Sequence, residues 1–128
     1  MIADEVQTGF GRTGKLMAWE HDMPGSKPDI LVVAKSISGG FSPVSGFLCD
    51  DYIMMQIKPG EHGSTYGGNP LSMAISKKAV EVLIKEKMVE NSQVMGDYLH
   101  SLCKSLKSPL IKDVRGRGLF QGIEIHAD

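Results

Sequence analysis

The chain has 128 residues, 41% of them hydrophobic and 23% charged, with a formal net charge of −1. That balance is ordinary for a soluble globular protein and gives no electrostatic reason to expect nucleic acid or an anionic membrane as partner. No apolar run approaches the roughly 20 residues of a membrane span, and the first residues lack the basic-then-apolar order of a signal peptide.

In chain order, residues 1–6 read as the tail of a strand. Residues 7–28 hold four glycines and two prolines and read mostly as loop. The apolar run at 29–35 predicts a buried strand, and 44–49 the next one. The glycine-containing link between them is too short for a parallel crossover, so the pair is expected to be antiparallel. Residues 52–57 allow a helical turn or two, and 58–68 form a polar, glycine-rich loop. Asn69 and Pro70 mark a helix start, as N-cap and first helical residue. Leu71, Ile75, Ala79, Val82 and Leu83 follow as one apolar stripe. A second helix is predicted from about Ser92 to Lys107, with Met95, Tyr98, Leu99, Leu102 and Leu106 inward. Strands at 110–114 and 119–125 are expected around a glycine turn at 115–118, whose Arg115 and Arg117 read as solvated charges. A domain change is placed near residue 90. Both ends look cut from a larger chain. Cys49 and Cys103 match no metal spacing and are too few for a disulfide framework, which fits a reducing compartment.

The chemistry starts from Lys35, where the buried strand ends. Spacing alone leaves it open between a rim lysine and a reactive amine. Asp4 ends the first strand, and two strand ends can face one crevice. An amine and an acid so placed point to a pyridoxal 5'-phosphate (PLP) site, with Lys35 as Schiff-base lysine and Asp4 paired to the pyridine nitrogen. A PLP lysine must lose its proton to attack an aldehyde, against an ordinary pKa of about 10.4. Gln7 can donate an amide hydrogen bond to the ring's phenolic oxygen. In the loop at 62–70, Ser64 and Thr65 offer hydroxyls just before a helix N-terminus, a place that favours phosphate but also serves as a plain capping loop. The segment 9–15 satisfies G-x-G-x-x-G and nearly a P-loop. It fails as either, because Leu16 stands where Ser or Thr must hold magnesium and no helix is predicted after it. His21, His62, His100 and His126 share no metal spacing.

The stretches 4–14, 34–40 and 62–70, in this order and spacing, resemble class III aminotransferases. Residues 44–51, 58–71 and 114–119 look like the ornithine-specific branch of that class. The resemblance covers essentially the whole chain. It implies an α/β fold, part of PLP-dependent transferase fold type I. Residues 1–90 would be the C-terminal part of the PLP-binding large domain with its linking helix, and 91–128 the start of the small C-terminal domain. It also implies a homodimer with active sites at the subunit interface. Lys35, Asp4 and Gln7 would hold the cofactor as above, while Thr65, with Ser64 beside it, would reach the phosphate of the partner subunit. The implied reaction moves the terminal amino group of ornithine to 2-oxoglutarate, giving glutamate and glutamate 5-semialdehyde. The family's ring-stacking aromatic and carboxylate-binding arginine would lie outside these residues, so little turnover is expected of this chain alone. Other readings stay open: an acetylornithine or other ω-amino acid donor, or an inactive truncated chain that only binds a partner subunit. Cytoplasm and mitochondrial matrix are both open as compartments, since a targeting segment would lie upstream.

Overall fold

The run Ile30-Leu31-Val32-Val33 forms β2 (Ile30–Val33), the central strand of a three-stranded sheet. The structure, a computed structural model, describes residues 1–126; Ala127 and Asp128, the last residues of the second expected unit, lie outside the described residues. β1 (Ile2–Asp4) runs parallel to β2, with Ile2 opposite Ile30 and Asp4 opposite Val32. β3 (Gly46–Cys49) runs antiparallel on the other side, with Ile30 opposite Cys49 and Val33 opposite Gly46. The short link through Ser42 and Pro43 thus makes the antiparallel pair that its length demands. Val33 is buried at the end of β2, where the chain turns toward the helices.

α1 (Asp51–Met54) is a single turn. α2 (Pro70–Lys85) starts where the sequence marks it: Asn69 Oδ1 accepts from the Ser72 amide at 2.9 Å, and Pro70 opens the helix. An N-cap side chain satisfies one of the amides that no helical carbonyl can reach. α2 packs on the connection after β2 through small residues. Ser72 and Ser76 are buried, and the Ser72 hydroxyl bonds that of Ser42 at 2.6 Å. Of the expected stripe, Ile75, Ala79, Val82 and Leu83 are half-buried, but Leu71 is 71% exposed.

α3 (Met88–Ser105) begins four residues before the expected Ser92, after Lys87 takes a left-handed φ of 53°. Its buried face is Ser92, Gly96 and Cys103; Met95, Tyr98, Leu99, Leu102 and Leu106, expected inward, are exposed. The reason is steric. The Ser92 hydroxyl donates to the Arg12 carbonyl at 3.1 Å, and Gly96 lies against the backbone of Gly118. Only a face of small residues lets a helix backbone come that close.

β4 (Ile111–Arg117) and β5 (Phe120–Ile125) form an antiparallel hairpin in which Arg117 faces Phe120. The turn is therefore Gly118-Leu119, and residues 115–117, expected as turn, belong to the strand. Arg115 pairs with Asp113 at 2.9 Å and Glu124 at 2.8 Å, and Arg117 reaches Asp22 at 3.0 Å. The glycine-rich segment 9–14 leads into no helix beyond a 3-10 turn at Ala18–His21. It wedges between α3 and the hairpin instead, where the Leu119 amide donates to the Arg12 carbonyl at 3.0 Å.

Candidate active site

Because β1 and β2 are parallel, their carboxyl ends lie at the same edge of the sheet. Asp4 is the last residue of β1, and Lys35 lies two residues past the end of β2, after Ala34, opening a 3-10 turn over Lys35–Ser38. Lys35 Nζ donates to Gln7 Oε1 at 3.1 Å, across the gap between the two strand ends. The amine is exposed, and Gln7 is the only partner it has among the described residues. Its backbone φ is 42°, in the left-handed region that a lysine resists. The Ile37 amide bonds the Ala34 carbonyl at 3.1 Å, and Gly39 closes the turn with φ 62°. The Ser38 hydroxyl, wholly buried, donates to the Ser42 carbonyl. These bonds hold Lys35 in its strained conformation.

Asp4 is exposed, and its Oδ1 accepts from the Val6 amide at 3.1 Å. Its other oxygen has no partner among the described residues and faces no competing cation in an ion pair. The next residue, Glu5, turns the opposite way, as period-2 alternation requires, and is 3% exposed. Its Oε1 accepts from the Trp19 amide at 2.8 Å and its Oε2 from the Thr8 hydroxyl. Glu5 did not stand out in the sequence. The signal was its place directly after a strand-ending acid, which sends one of the two carboxylates inward.

Lys35, Gln7 and Asp4 are thus brought to one edge. Ser64 and Thr65 are not brought to them. Both are exposed on the loop between α1 and α2, and no hydrogen bond among the described residues ties them to Lys35, Gln7 or Asp4. The Ser64 hydroxyl accepts from the Gly67 amide at 2.9 Å. Ser64 lines an open cavity of about 1060 Å³ with His62, Tyr66, Phe47 and Val44, on the β1–β2–β3 face rather than at the Lys35 edge. The pKa shifts lie elsewhere. The Lys112 ammonium, then the Arg115 guanidinium, hold the Glu124 carboxyl below its ordinary value, and Arg115 does the same for Asp113.

The residues at the edge fit PLP by their chemistry. An accessible primary amine meets an aldehyde, a carboxylate with a free oxygen meets a pyridine nitrogen, and an amide whose Nε2 is unengaged meets a phenolic oxygen. No group of three His, Cys, Asp or Glu among the described residues could hold a metal ion.

A parallel strand pair that presents lysine, acid and amide at one edge suits a PLP-dependent transferase. The whole of residues 1–128 matches the family described as Aminotransferase class-III, and the chain belongs to that family. A relative in Caenorhabditis elegans, "Probable ornithine aminotransferase, mitochondrial", is 58% identical over 125 residues, covering 98% of this chain and 29% of its own length. An ornithine aminotransferase structure from Toxoplasma gondii, described as having partial occupancy of PLP at its active site, superposes with a TM-score of 0.92 at 43% identity, over 98% of this chain and 30% of that one. An acetylornithine aminotransferase structure from Elizabethkingia anophelis gives 0.91 at 48% identity, over 98% and 31%. The chain therefore spans under a third of the length of the relatives it matches, and the fold is that part of a PLP-dependent aminotransferase.

Proposed function

We propose that this chain carries the lysine-bearing part of a PLP-dependent aminotransferase that moves the terminal amino group of ornithine to 2-oxoglutarate, giving glutamate 5-semialdehyde and glutamate. The observation that carries the reading is the 3.1 Å approach of Lys35 Nζ to Gln7 at the shared carboxyl edge of β1 and β2, with Asp4 ending β1. The substrate assignment draws on the 58% identity to the Caenorhabditis relative named for ornithine.

Lys35 is the amine that binds the cofactor aldehyde. Its Nζ, once released from the cofactor, would be the base that takes a proton from the substrate carbon and delivers it to the cofactor side, so that the amino group leaves the substrate. Asp4 would face the pyridine nitrogen with the oxygen that has no partner among the described residues, and so favour a proton on that nitrogen. Gln7 accepts from Lys35 through Oε1 and donates to the phenolic oxygen through Nε2. When bound, PLP supplies an electron sink for the pair left on the substrate carbon. The exposed hydroxyls of Ser64 and Thr65, which among the described residues make no hydrogen bond to Lys35, Gln7 or Asp4, are assigned to the cofactor phosphate of a partner subunit in a homodimer. Residues 1–90 are assigned to the large domain and 91–128 to the start of the small one.

A second reading, transfer from acetylornithine or another ω-amino donor, is supported by the 48% identity to the Elizabethkingia enzyme. Comparing kcat/KM for ornithine and N-acetylornithine in the full-length protein decides between them; ornithine is the expected better donor. A truncated, inactive chain that only joins a partner subunit is the remaining alternative, and ornithine-dependent semialdehyde formation by the chain alone would exclude it. No helix among the described residues is long and apolar enough to cross a membrane, and the Caenorhabditis relative is named as mitochondrial.

The site is tested by trapping. The full-length protein is incubated with PLP, reduced with borohydride and mapped by peptide mass. Label confined to Lys35 is expected; label scattered over other lysines would refute the assignment. Lys35→Ala is expected to lower kcat by about a thousandfold or more, because it removes both the covalent attachment and the proton carrier.

A further inference from the structure

Glu5 is a buried carboxylate that the proposed mechanism does not use. It has no ion pair among the described residues, so its burial is compensated only by hydrogen bonds. An apolar side chain would fill the same space without that desolvation cost. What the carboxylate adds is two directional bonds, to the Trp19 amide and the Thr8 hydroxyl.

Those bonds close a turn. The Glu5 amide continues the ladder to the Val32 carbonyl at 2.9 Å, and the Glu5 carbonyl accepts from the Gly9 amide at 3.0 Å. A Cβ on Gly9 would lie 2.9 Å from that carbonyl oxygen, so the turn admits no side chain there. Glu5 and Gly9 form the base of the turn, and Gln7 stands at its apex. Gln7 is exposed, and among the described residues only Lys35 bonds its side chain. The direction of its amide is therefore set by the backbone of residues 5–9.

We propose that Glu5 is a positioning residue which, by clamping the 5–9 turn through Trp19 and Thr8, aims the Gln7 amide at the Lys35 edge. The proposal rests on the reading of Lys35 and Gln7 as cofactor-holding groups. Glu5 acts on PLP only through Gln7, which a double-mutant cycle can separate from a merely structural role.

The readout is the PLP dissociation constant of the full-length protein, measured by equilibrium dialysis. Glu5→Ala and Gln7→Ala are each expected to weaken binding about tenfold, and the double variant also about tenfold rather than a hundredfold. Glu5→Gln keeps an oxygen for the Trp19 amide and is expected to stay within about twofold of the parent. Should Glu5→Ala not be recovered folded, Thr8→Val, which removes one clamp bond, replaces it in the cycle with about a threefold effect alone and none on top of Gln7→Ala. Multiplying effects, or a Glu5→Ala protein of lower Tm and unchanged dissociation constant, would overturn the proposal while leaving Lys35 in place. If Lys35→Ala and Gln7→Ala both left PLP binding unchanged, the active-site reading would fall and this inference with it.

Discussion

Gly96 offers a sharp test of the packing that unites α3 with the β4–β5 hairpin. A Cβ placed there would lie 2.1 Å from the carbonyl carbon and oxygen of Gly118 and 2.4 Å from its Cα. Carbon contacts settle near 3.5 Å, so Gly96→Ala must open the interface by about 1.4 Å. Gly118 cannot retreat. A Cβ on its far side would already meet the Thr13 carbonyl carbon at 2.4 Å and the Gly14 nitrogen at 2.5 Å, so the glycine-rich segment stands directly behind it. Three backbones are thus stacked with no side chain between them. Overpacking of this kind costs about 3 kcal/mol, at the upper end for added methyl groups. Alanine in place of glycine inside a helix offsets about 1 kcal/mol of that. The expected net loss is about 2 kcal/mol, read from urea unfolding of the full-length protein. Gly25→Ala serves as control. Its φ of 80° is left-handed, unlike that of helical Gly96, but nothing among the described residues lies within 4 Å, so only conformational strain of about 1 kcal/mol applies. A Gly96→Ala protein as stable as the parent, or more so, would refute the stacked-backbone account.

Other outcomes follow from the same geometry. Asn69→Ala removes the acceptor for the Ser72 amide and is expected to cost about 1 kcal/mol, with Asn69→Ser recovering most of it in the same unfolding assay. Glu124 is held below its ordinary value of 4.5, first by Lys112 and then by Arg115. A depressed carboxyl stabilises the fold above its ordinary pKa, and that contribution disappears as pH falls through the depressed folded value. The Tm gap between Glu124→Gln and the parent should therefore be present at neutral pH and close in acid. A gap unchanged throughout a series carried well below 4.5 would contradict this. Because all three side chains are solvated, the gap is expected to be small and to shrink in high salt.

What could be read from the residues followed local physics. The β2 run, the antiparallel return forced by a short link, and the Asn69-Pro70 helix start each depend on a few neighbours in sequence. So does the placement of Lys35 and Asp4 at strand ends. The errors arose where distant backbone approach decides. Met95, Tyr98 and Leu99 make the better apolar stripe on α3, yet Ser92 and Gly96 are the buried face because Arg12 and Gly118 come too close for anything larger. The start of α3 was hidden by Lys87, whose positive φ has no marker in a lysine. Residues 115–118 read as a turn from their two glycines, but Gly116, at φ 149°, sits within the paired strand. Glu5 went unnoticed because burial of a charged side chain contradicts its type, and its compensating partners, Thr8 and Trp19, are not themselves a pattern.

The positive φ of Lys35 has a consequence for how such a chain changes over time. Lysine in that conformation gives up roughly 1 kcal/mol that glycine would not. Selection for thermal robustness alone would therefore drive position 35 toward glycine, and the same drift would erase the amine. The residue on which the proposed chemistry depends is thus a local defect of the fold. A stabilised variant chosen without an activity screen is at risk of losing it first.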